Sequence, residues 1–302
     1  MFDIFNRIKE ITGESYLKRD EPMKFHTTFK TGGNADIFVE PETEEQLFEI
    51  IKLCKKERQE YFILGRGSDL LISDKGYRGV IVSTTKIDYI ELISKDVIEA
   101  GVGATVSEVS KFALDNLLTG MEFASGIPGS MGGAVYMNAG AYGGESKDII
   151  LEVKVIEDDN IVRWVGVSDL DLGYRYSNIT KLNRVAVAVR LKLSKGNKEE
   201  IFMKMEDFRS RREEKQPLEF PSAGSTFKRP EGHFAGQLID NAGLRGYSIG
   251  GAKVSDKHCG FIINMGNATS SDIYNLILKV QKTVKEKFNV ELLTEVKLLG
   301  EF

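Results

Sequence analysis

Apolar positions along the chain keep two periods, and the alternation between them lays out its elements. Ile37 to Glu40 reads as a strand, and Leu47, Ile50, Ile51 and Cys54 then recur on one helical face. Thr43 and Gln46 stand at capping-box spacing ahead of that face, and Tyr61 to Leu64 returns to the strand pattern. The order strand, helix, strand predicts a small α/β unit. A second segment begins near Lys86. There Val97 to Ala100 predicts a strand and Gly101-Val102-Gly103 a turn. Thr105 with Glu108 then caps a helix that ends by Gly120 and buries Val106, Val109, Phe112, Ala113 and Leu117.

Farther on, Leu151 to Ile156, Ile161 to Val165 and Val185 to Leu193 predict strands with few helices among them, which points to α+β rather than a doubly wound sheet. The pattern changes near residue 195. A charged amphipathic helix follows, with Ile201, Met205 and Phe208 as its sparse apolar stripe, and stops at Pro217. Pro217, Pro221 and Pro230 stiffen the loops after it. A last helix begins at Thr269, with Asp272 at capping-box spacing, and buries Ile273, Leu276, Ile277, Val280, Val284 and Phe288. It leads to a final strand over Glu291 to Leu299.

Length and charge narrow the function classes. The 302 residues suffice for two or three domains with their own cores. A formal net charge of −4 argues against a duplex-binding surface, so no nucleic-acid partner is expected. No stretch approaches the roughly 18 apolar residues of a membrane span, and the N-terminus lacks a cleavable leader pattern. A cytoplasmic protein without membrane insertion is expected. Cys54 and Cys259 lack CxxC spacing and read as structural thiols. His26, His233 and His258 form no i,i+4 pair, so no metal site is expected, and no GxSxG elbow supports serine hydrolysis.

Glycine is concentrated in SGIPGSMGGAVYMNAGAYGG, residues 125 to 144, which carries Gly126, Gly129, Gly132, Gly133, Gly140, Gly143 and Gly144 and no charged side chain. Such a run either turns with positive φ or lets another group lie against its backbone. Upstream, Gly65-Arg66-Gly67-Ser68-Asp69 follows a strand as a turn able to hold phosphate oxygens on its N–H groups; taken alone, a plain surface turn is the simpler reading. GVGATV lacks the third glycine of the dinucleotide fingerprint, which excludes a nicotinamide Rossmann domain. Three polar constellations remain. Tyr174-Arg175-Tyr176-Ser177 offers a guanidinium for a carboxylate, or a stacked surface arginine. Gly224-Ser225-Thr226-Phe227-Lys228 offers a hydroxyl and a cation, or a turn serine. Glu295 is a candidate carboxylate, or an edge-strand solubiliser. Without a metal or a nucleophile, the chemistry points to a bound organic cofactor.

HTTFKTGGNADIFVEP, LGRGSDLLISDKGYRGVIV, GMEFASGIPGSMGGAVYMNAGAYGGE, LGYRYS, PSAGSTFKRPEGHFAGQLID and LTEVKLLGE follow one another from His26 to Gly300. In this order they resemble the UDP-N-acetylmuramate dehydrogenases, also called UDP-N-acetylenolpyruvoylglucosamine reductases. The short link from Ser177 to Val185 is similar to the compact subtype that lacks an extra tyrosine loop. The resemblance implies a two-part FAD-binding region of the vanillyl-alcohol oxidase type plus a C-terminal α/β substrate-binding domain. The expected divisions are 1–83, with the C-terminal strand as a candidate to complete it, 84–196 and 197–302.

It further implies that FAD is held non-covalently, without a bond to His26. The cofactor would lie along Gly65, Arg66, Gly67, Ser68 and Asp69 and along Ser125, Gly126, Ile127, Pro128, Gly129, Gly132, Gly133, Asn138, Ala139 and Gly140. Asp69 stands where the family commonly has asparagine, and a carboxylate there would repel a diphosphate unless turned away or offset by a cation such as Arg66. NADPH would be the reductant and UDP-N-acetylglucosamine enolpyruvate the substrate. Arg175 would stabilise the developing enolate, Ser225 would protonate the α-carbon, and Glu295, its pKa raised, would lie across the carboxylate. Lys228 and Tyr174 would contact substrate; Arg209, Arg211 and Arg212 read most simply as a solvated face, and the resemblance offers them the diphosphate as a partner. A small-molecule enzyme with a monomer favoured is the expectation. An FAD-dependent alcohol or sugar oxidase of the same superfamily, and a flavin-binding protein without turnover, are the alternatives.

Overall fold

The computed structural model describes residues 2–302. Its helices are α1 (Phe2–Thr12), α2 (Glu44–Glu57), α3 (Val106–Asp115), α4 (Met131–Met137), α5 (Lys198–Lys215), α6 (Ala235–Asn241) and α7 (Ser270–Phe288). No described helix is long and apolar enough to cross a membrane. The chain forms two compact units, each assembled from separate stretches. One comprises Met1–Lys18, Ile37–Arg66 and Gly79–Arg212, the other Arg19–Asp36, Gly67–Arg78 and Glu213–Phe302. Residues 19–36 and 67–78 of the first expected segment therefore lie in the second unit, and 198–212 of α5 in the first.

The first unit has two apolar clusters. In one, α2 buries Leu47, Ile50, Ile51 and Cys54 with Val80 and Val82 of the strand Tyr77–Ser83, which pairs in parallel with Tyr61–Leu64. This is the strand, helix, strand unit that the periodicity predicts. Burial pushes the Cys54 thiol up to about 12, so it stays protonated and inert. The other cluster fills one face of an antiparallel sheet ordered Val162–Gly166, Ile150–Ile156, Val185–Lys192, Val97–Gly101 and Ile90–Ser94. Thr105 and Glu108 close their capping box on α3, but the helix ends at Asp115. Leu117 lies beyond that end, with φ 59° and 44% exposed, instead of on the buried face. The helical period does not extend through a left-handed residue.

The second unit packs α7 on a sheet of Ser248–Ile249, Ala252–Val254 and Ile262–Asn264. The buried face of α7 is the expected one except at Phe288, the last helical residue, which is exposed. The final strand is shorter than its apolar pattern predicts. Only Lys297–Leu299 is extended, pairing in parallel with Leu70–Ile72, while Phe227 and Thr294 meet in a single bridge. Leu292 and Val296 are buried with exposed Leu293 between them, an irregular spacing that serves a loop and not a pleat. The units thus mix helices with mainly antiparallel sheets, an α+β architecture.

The N-terminus of α7 carries more than its own cap. Thr269 and Asp272 form the predicted box, and the Asp74 carboxylate accepts hydrogen bonds from the Ser270 N–H (2.8 Å), the Ser271 N–H (2.8 Å) and the Ser271 hydroxyl (2.6 Å). An anion there satisfies donors that the helix cannot and opposes its dipole. Asp74→Ala is expected to destabilise the protein by about 1–2 kcal/mol. Urea denaturation followed by circular dichroism measures this; an unchanged midpoint would show that Thr269 and Asp272 suffice.

Candidate active site

Residues 125–144 fold as a short helix followed by a hairpin. Ser130 caps α4 by accepting from the Gly133 N–H (3.4 Å), and Asn138 ends it in the left-handed conformation with φ 47°. Gly140–Ala141 and Gly144–Glu145 then pair antiparallel, with Tyr142 (φ 53°) and Gly143 (φ 89°) at the turn. Two positive φ values in succession suit the twist of a two-residue hairpin.

Most glycines of the run answer to the protein itself. A Cβ on Gly132 would lie 3.0 Å from Cβ of Val102, one on Gly140 2.6 Å from the Gly144 carbonyl, and one on Gly144 2.6 Å from the Phe123 ring. Gly133 is different, since its nearest neighbour would be the Ser130 hydroxyl at 3.7 Å. A Cβ on Gly65 would collide with that same hydroxyl, so the Gly65 turn lies directly on the start of α4. Two stretches singled out separately in the sequence therefore share one surface. Arg66, the next residue, donates to the Gly103 carbonyl (3.3 Å).

Asn138 ties this surface to Arg175. Its side chain is fully buried; Nδ2 donates to Glu145 Oε2 (3.1 Å) and to the Gly173 carbonyl (3.0 Å), and Oδ1 accepts from the Lys147 N–H (2.9 Å). Gly173 and Tyr176 exchange N–H···O bonds of 3.0 and 3.2 Å, which folds Tyr174 and Arg175 into the middle of a tight turn. Arg175 sits there with φ 51°, a region that costs a residue with a side chain of order 1 kcal/mol. Its guanidinium donates to the Gly140 carbonyl (3.1 Å) and lies over the Tyr174 ring, 5.1 Å from the centroid. Ser177 fixes the far side of the turn by donating to the Tyr136 carbonyl (2.7 Å). The hydrogen bond from Lys147 holds the Glu145 carboxyl below the usual carboxylate range, with Asn138 and the Arg175 charge adding to it. Glu145 therefore remains an anion near the Arg175 cation at neutral pH.

The second unit holds Ser225, Lys228 and Glu295. Gly224 turns with φ 73°, after which Ser225 is exposed and Thr226 buried. The Thr226 carbonyl accepts from the Glu295 N–H (2.9 Å), its N–H donates to the Gly260 carbonyl (2.8 Å), and its hydroxyl accepts from the Ile262 N–H (3.1 Å). Backbone bonds thus set Glu295 beside the Ser225–Thr226 segment. The Lys228 N–H bonds the Leu293 carbonyl (2.8 Å), and Lys228, Arg229, His233, Glu231 and Glu291 line a cavity of about 410 Å³. Gly67, Ser68 and Asp69 also belong to this unit; Thr28 donates its N–H to the Gly67 carbonyl (3.1 Å), and Lys297 donates to that of Asp69 (3.0 Å).

Residues 35–166 match the family model for an FAD binding domain, and residues 216–299 match that for the C-terminal domain of UDP-N-acetylenolpyruvoylglucosamine reductase. The reductase of that name from Caldanaerobacter subterraneus subsp. tengcongensis is 49% identical over 99% of this chain and 98% of its own length. The chain belongs to the UDP-N-acetylenolpyruvoylglucosamine reductase family. The crystal structure of the Thermus caldophilus reductase superposes with a TM-score of 0.82 at 32% identity, covering 94% of this chain and all of that one. Wild-type Phl p 4.0202, a glucose dehydrogenase, shares the fold at 11% identity and TM-score 0.52, over 65% of this chain and 44% of its own. The fold is therefore the expected one, an FAD-binding region with a reductase-family C-terminal domain.

Sequence reasoning passed over two features of this reductase-family site. The Tyr142 ring stacks on Phe208 of α5, with centroids 4.4 Å apart and planes 3° from parallel. Arg212 lies against Gly126, while its neighbours Arg209 and Arg211 pair with Glu206 and Asp207. The signal for Arg212 was present, because 201, 205, 208 and 212 continue one helical stripe. Only Arg212 of the three arginines stands on the apolar face.

The glycines supply a direct test. Gly133→Ala places its methyl group within a helix at ordinary van der Waals contact and is expected to raise apoprotein stability by up to about 1 kcal/mol, while weakening FAD binding at least about tenfold. Gly132→Ala is expected to destabilise the apoprotein through Val102. Thermal melting of both apoproteins with flavin-fluorescence titration checks the pair; unchanged FAD affinity in Gly133→Ala would remove Gly133 from the cofactor surface.

Proposed function

We infer that the chain reduces UDP-N-acetylglucosamine enolpyruvate to UDP-N-acetylmuramate with NADPH as reductant, as its end-to-end relationship to the reductases indicates. The residues fit FAD. The Gly65 turn lies on α4, and Gly133 leaves the helix surface beside it free of side chain. Gly65, Arg66, Gly67, Ser68, Asp69, Ser125 to Gly129, Gly132, Gly133, Ala139 and Gly140 are the residues proposed to hold it. Asn138 serves that surface from beneath, since its side chain is committed to Glu145, Lys147 and Gly173. When bound, FAD supplies hydride, received from NADPH, to the β-carbon of the enolpyruvyl group.

The protein's share of the reaction is charge and a proton. Hydride addition leaves negative charge at the α-carbon, spread into the adjoining carboxylate, and a fixed cation stabilises that enolate more than the substrate. Arg175 is assigned this role, because its strained turn, the Gly140 carbonyl and the Tyr174 ring preset its guanidinium. Ser225 is assigned the proton donated to the α-carbon. A hydroxyl is a weak acid in water, but it suffices against so basic a carbanion where water is excluded. Glu295, fixed beside it through Thr226, is assigned the place across the substrate carboxylate. Tyr174 and Lys228 are assigned to substrate binding. We place the enzyme in the cytoplasm as a monomer, one chain carrying all the assigned residues.

Anaerobic stopped-flow absorbance tests both the reading and the proton donor. Enzyme bleached by one equivalent of NADPH is expected to regain its flavin spectrum on mixing with the enolpyruvyl nucleotide. Failure of wild-type protein to do so would contradict the assigned reaction. Ser225→Ala is expected to keep its bleaching rate and to slow the recovery by about two orders of magnitude or more. Equal loss in both halves would count against proton donation.

A further inference from the structure

Arg212 stands out among the cations of the first unit. It makes no hydrogen bond or ion pair among the described residues, although its Nε is sealed from solvent. A Cβ on Gly126 would lie 3.2 Å from that Nε, 3.4 Å from Cδ and 3.5 Å from Cζ, so the guanidinium is laid along the glycine backbone. The side chain does not reach this place by chance. Phe208, one turn earlier on the same face of α5, stacks on Tyr142 at the tip of the hairpin, and the Tyr142 hydroxyl donates to the Phe208 carbonyl (3.1 Å). A guanidinium partly withdrawn from water and lacking a counter-charge costs free energy that an anionic or carbonyl oxygen would recover.

We propose that the Arg212 guanidinium, seated on Gly126 by the Tyr142–Phe208 stack, is the fixed positive partner of an electron-rich oxygen of bound FAD, and not of the substrate diphosphate. The assignment rests on reading residues 125–140 as an FAD surface. It separates Arg212 from Arg209 and Arg211, whose charges are already met by Glu206 and Asp207 at the solvent-facing side of α5. It also gives the hairpin a task, because Tyr142 positions Arg212 without itself needing to touch the cofactor.

Titration of apoprotein with FAD, followed by flavin fluorescence, tests the proposal. Wild-type apoprotein that binds no FAD would overturn the underlying cofactor reading and the proposal with it. Given wild-type binding, Arg212→Met is expected to raise the FAD dissociation constant at least about tenfold, from loss of a charge-assisted contact. Arg212→Lys is expected to recover part of the loss. Apoprotein melting should not fall in Arg212→Met, since no protein partner is removed, and Arg211→Met should change FAD affinity by no more than about twofold, as for exposed ion pairs. Riboflavin titration locates the oxygen. A loss repeated with riboflavin places it on the ring, a loss confined to FAD places it on the diphosphate, and either supports the proposal.

An unchanged FAD dissociation constant in Arg212→Met would overturn it. If the KM for the enolpyruvyl nucleotide rose instead, Arg212 would belong to the substrate. Tyr142→Ala should weaken FAD binding in the wild-type background and leave it unchanged in Arg212→Met; equal losses in both backgrounds would refute the positioning role of the stack.

Discussion

The buried Asn138 amide is the constraint on which the first unit's site depends. Three protein groups from two segments, Glu145 and Lys147 on one and Gly173 on the other, converge on one side chain that water does not reach. Leaving such donors and acceptors unmade costs about 1–3 kcal/mol each, so the hairpin and the Gly173–Tyr176 turn are bound to the end of α4 as one piece. Asparagine also suits the left-handed φ at which the helix stops. Arg175 inherits its position from this arrangement. A cation intended for charge that exists only late in a reaction must be held in place beforehand, and here backbone strain, a carbonyl and an aromatic ring do so together.

The glycine run has two causes, packing and access. Val102, Phe123 and the hairpin's own backbone account for Gly132, Gly144 and Gly140, whereas Gly133 leaves backbone exposed and Gly126 admits a guanidinium. Close internal packing makes the loop rigid, and rigidity is what lets the few open positions serve a flat or phosphorylated ligand. The second unit reaches the same end by backbone pairing, with Thr226 bonded to Gly260, Ile262 and Glu295 on different segments. Ser225 and Glu295 are thereby placed on framework and not on a free loop.

Local chemistry was legible in the sequence, and distant partners were not. The capping boxes of α3 and α7, the α2 stripe and the strand Tyr61–Leu64 depend on residues within one or two turns, and each is present as read. Leu117 and the final strand were misplaced because apolar spacing continued where the backbone did not. Asn138 looked like one more residue of a cofactor loop, since its bond to Gly173 spans 35 positions. Arg212 was hidden by composition: three arginines in a charged helix look alike until the stripe through 201, 205 and 208 is extended by one turn. The family resemblance carried the substrate and cofactor, which no pattern of periodicity contains.

Hydrogen exchange in Asn138→Gly tests the central claim most directly, because glycine keeps the left-handed φ while removing the amide. If Asn138 joins the segments, the Lys147 amide and those of Gly173 and Tyr176 will lose protection together, by about tenfold or more, while the strand Val185–Lys192 keeps its own. Faster exchange at Lys147 alone, with the Arg175 turn as protected as in the wild type, would contradict the account.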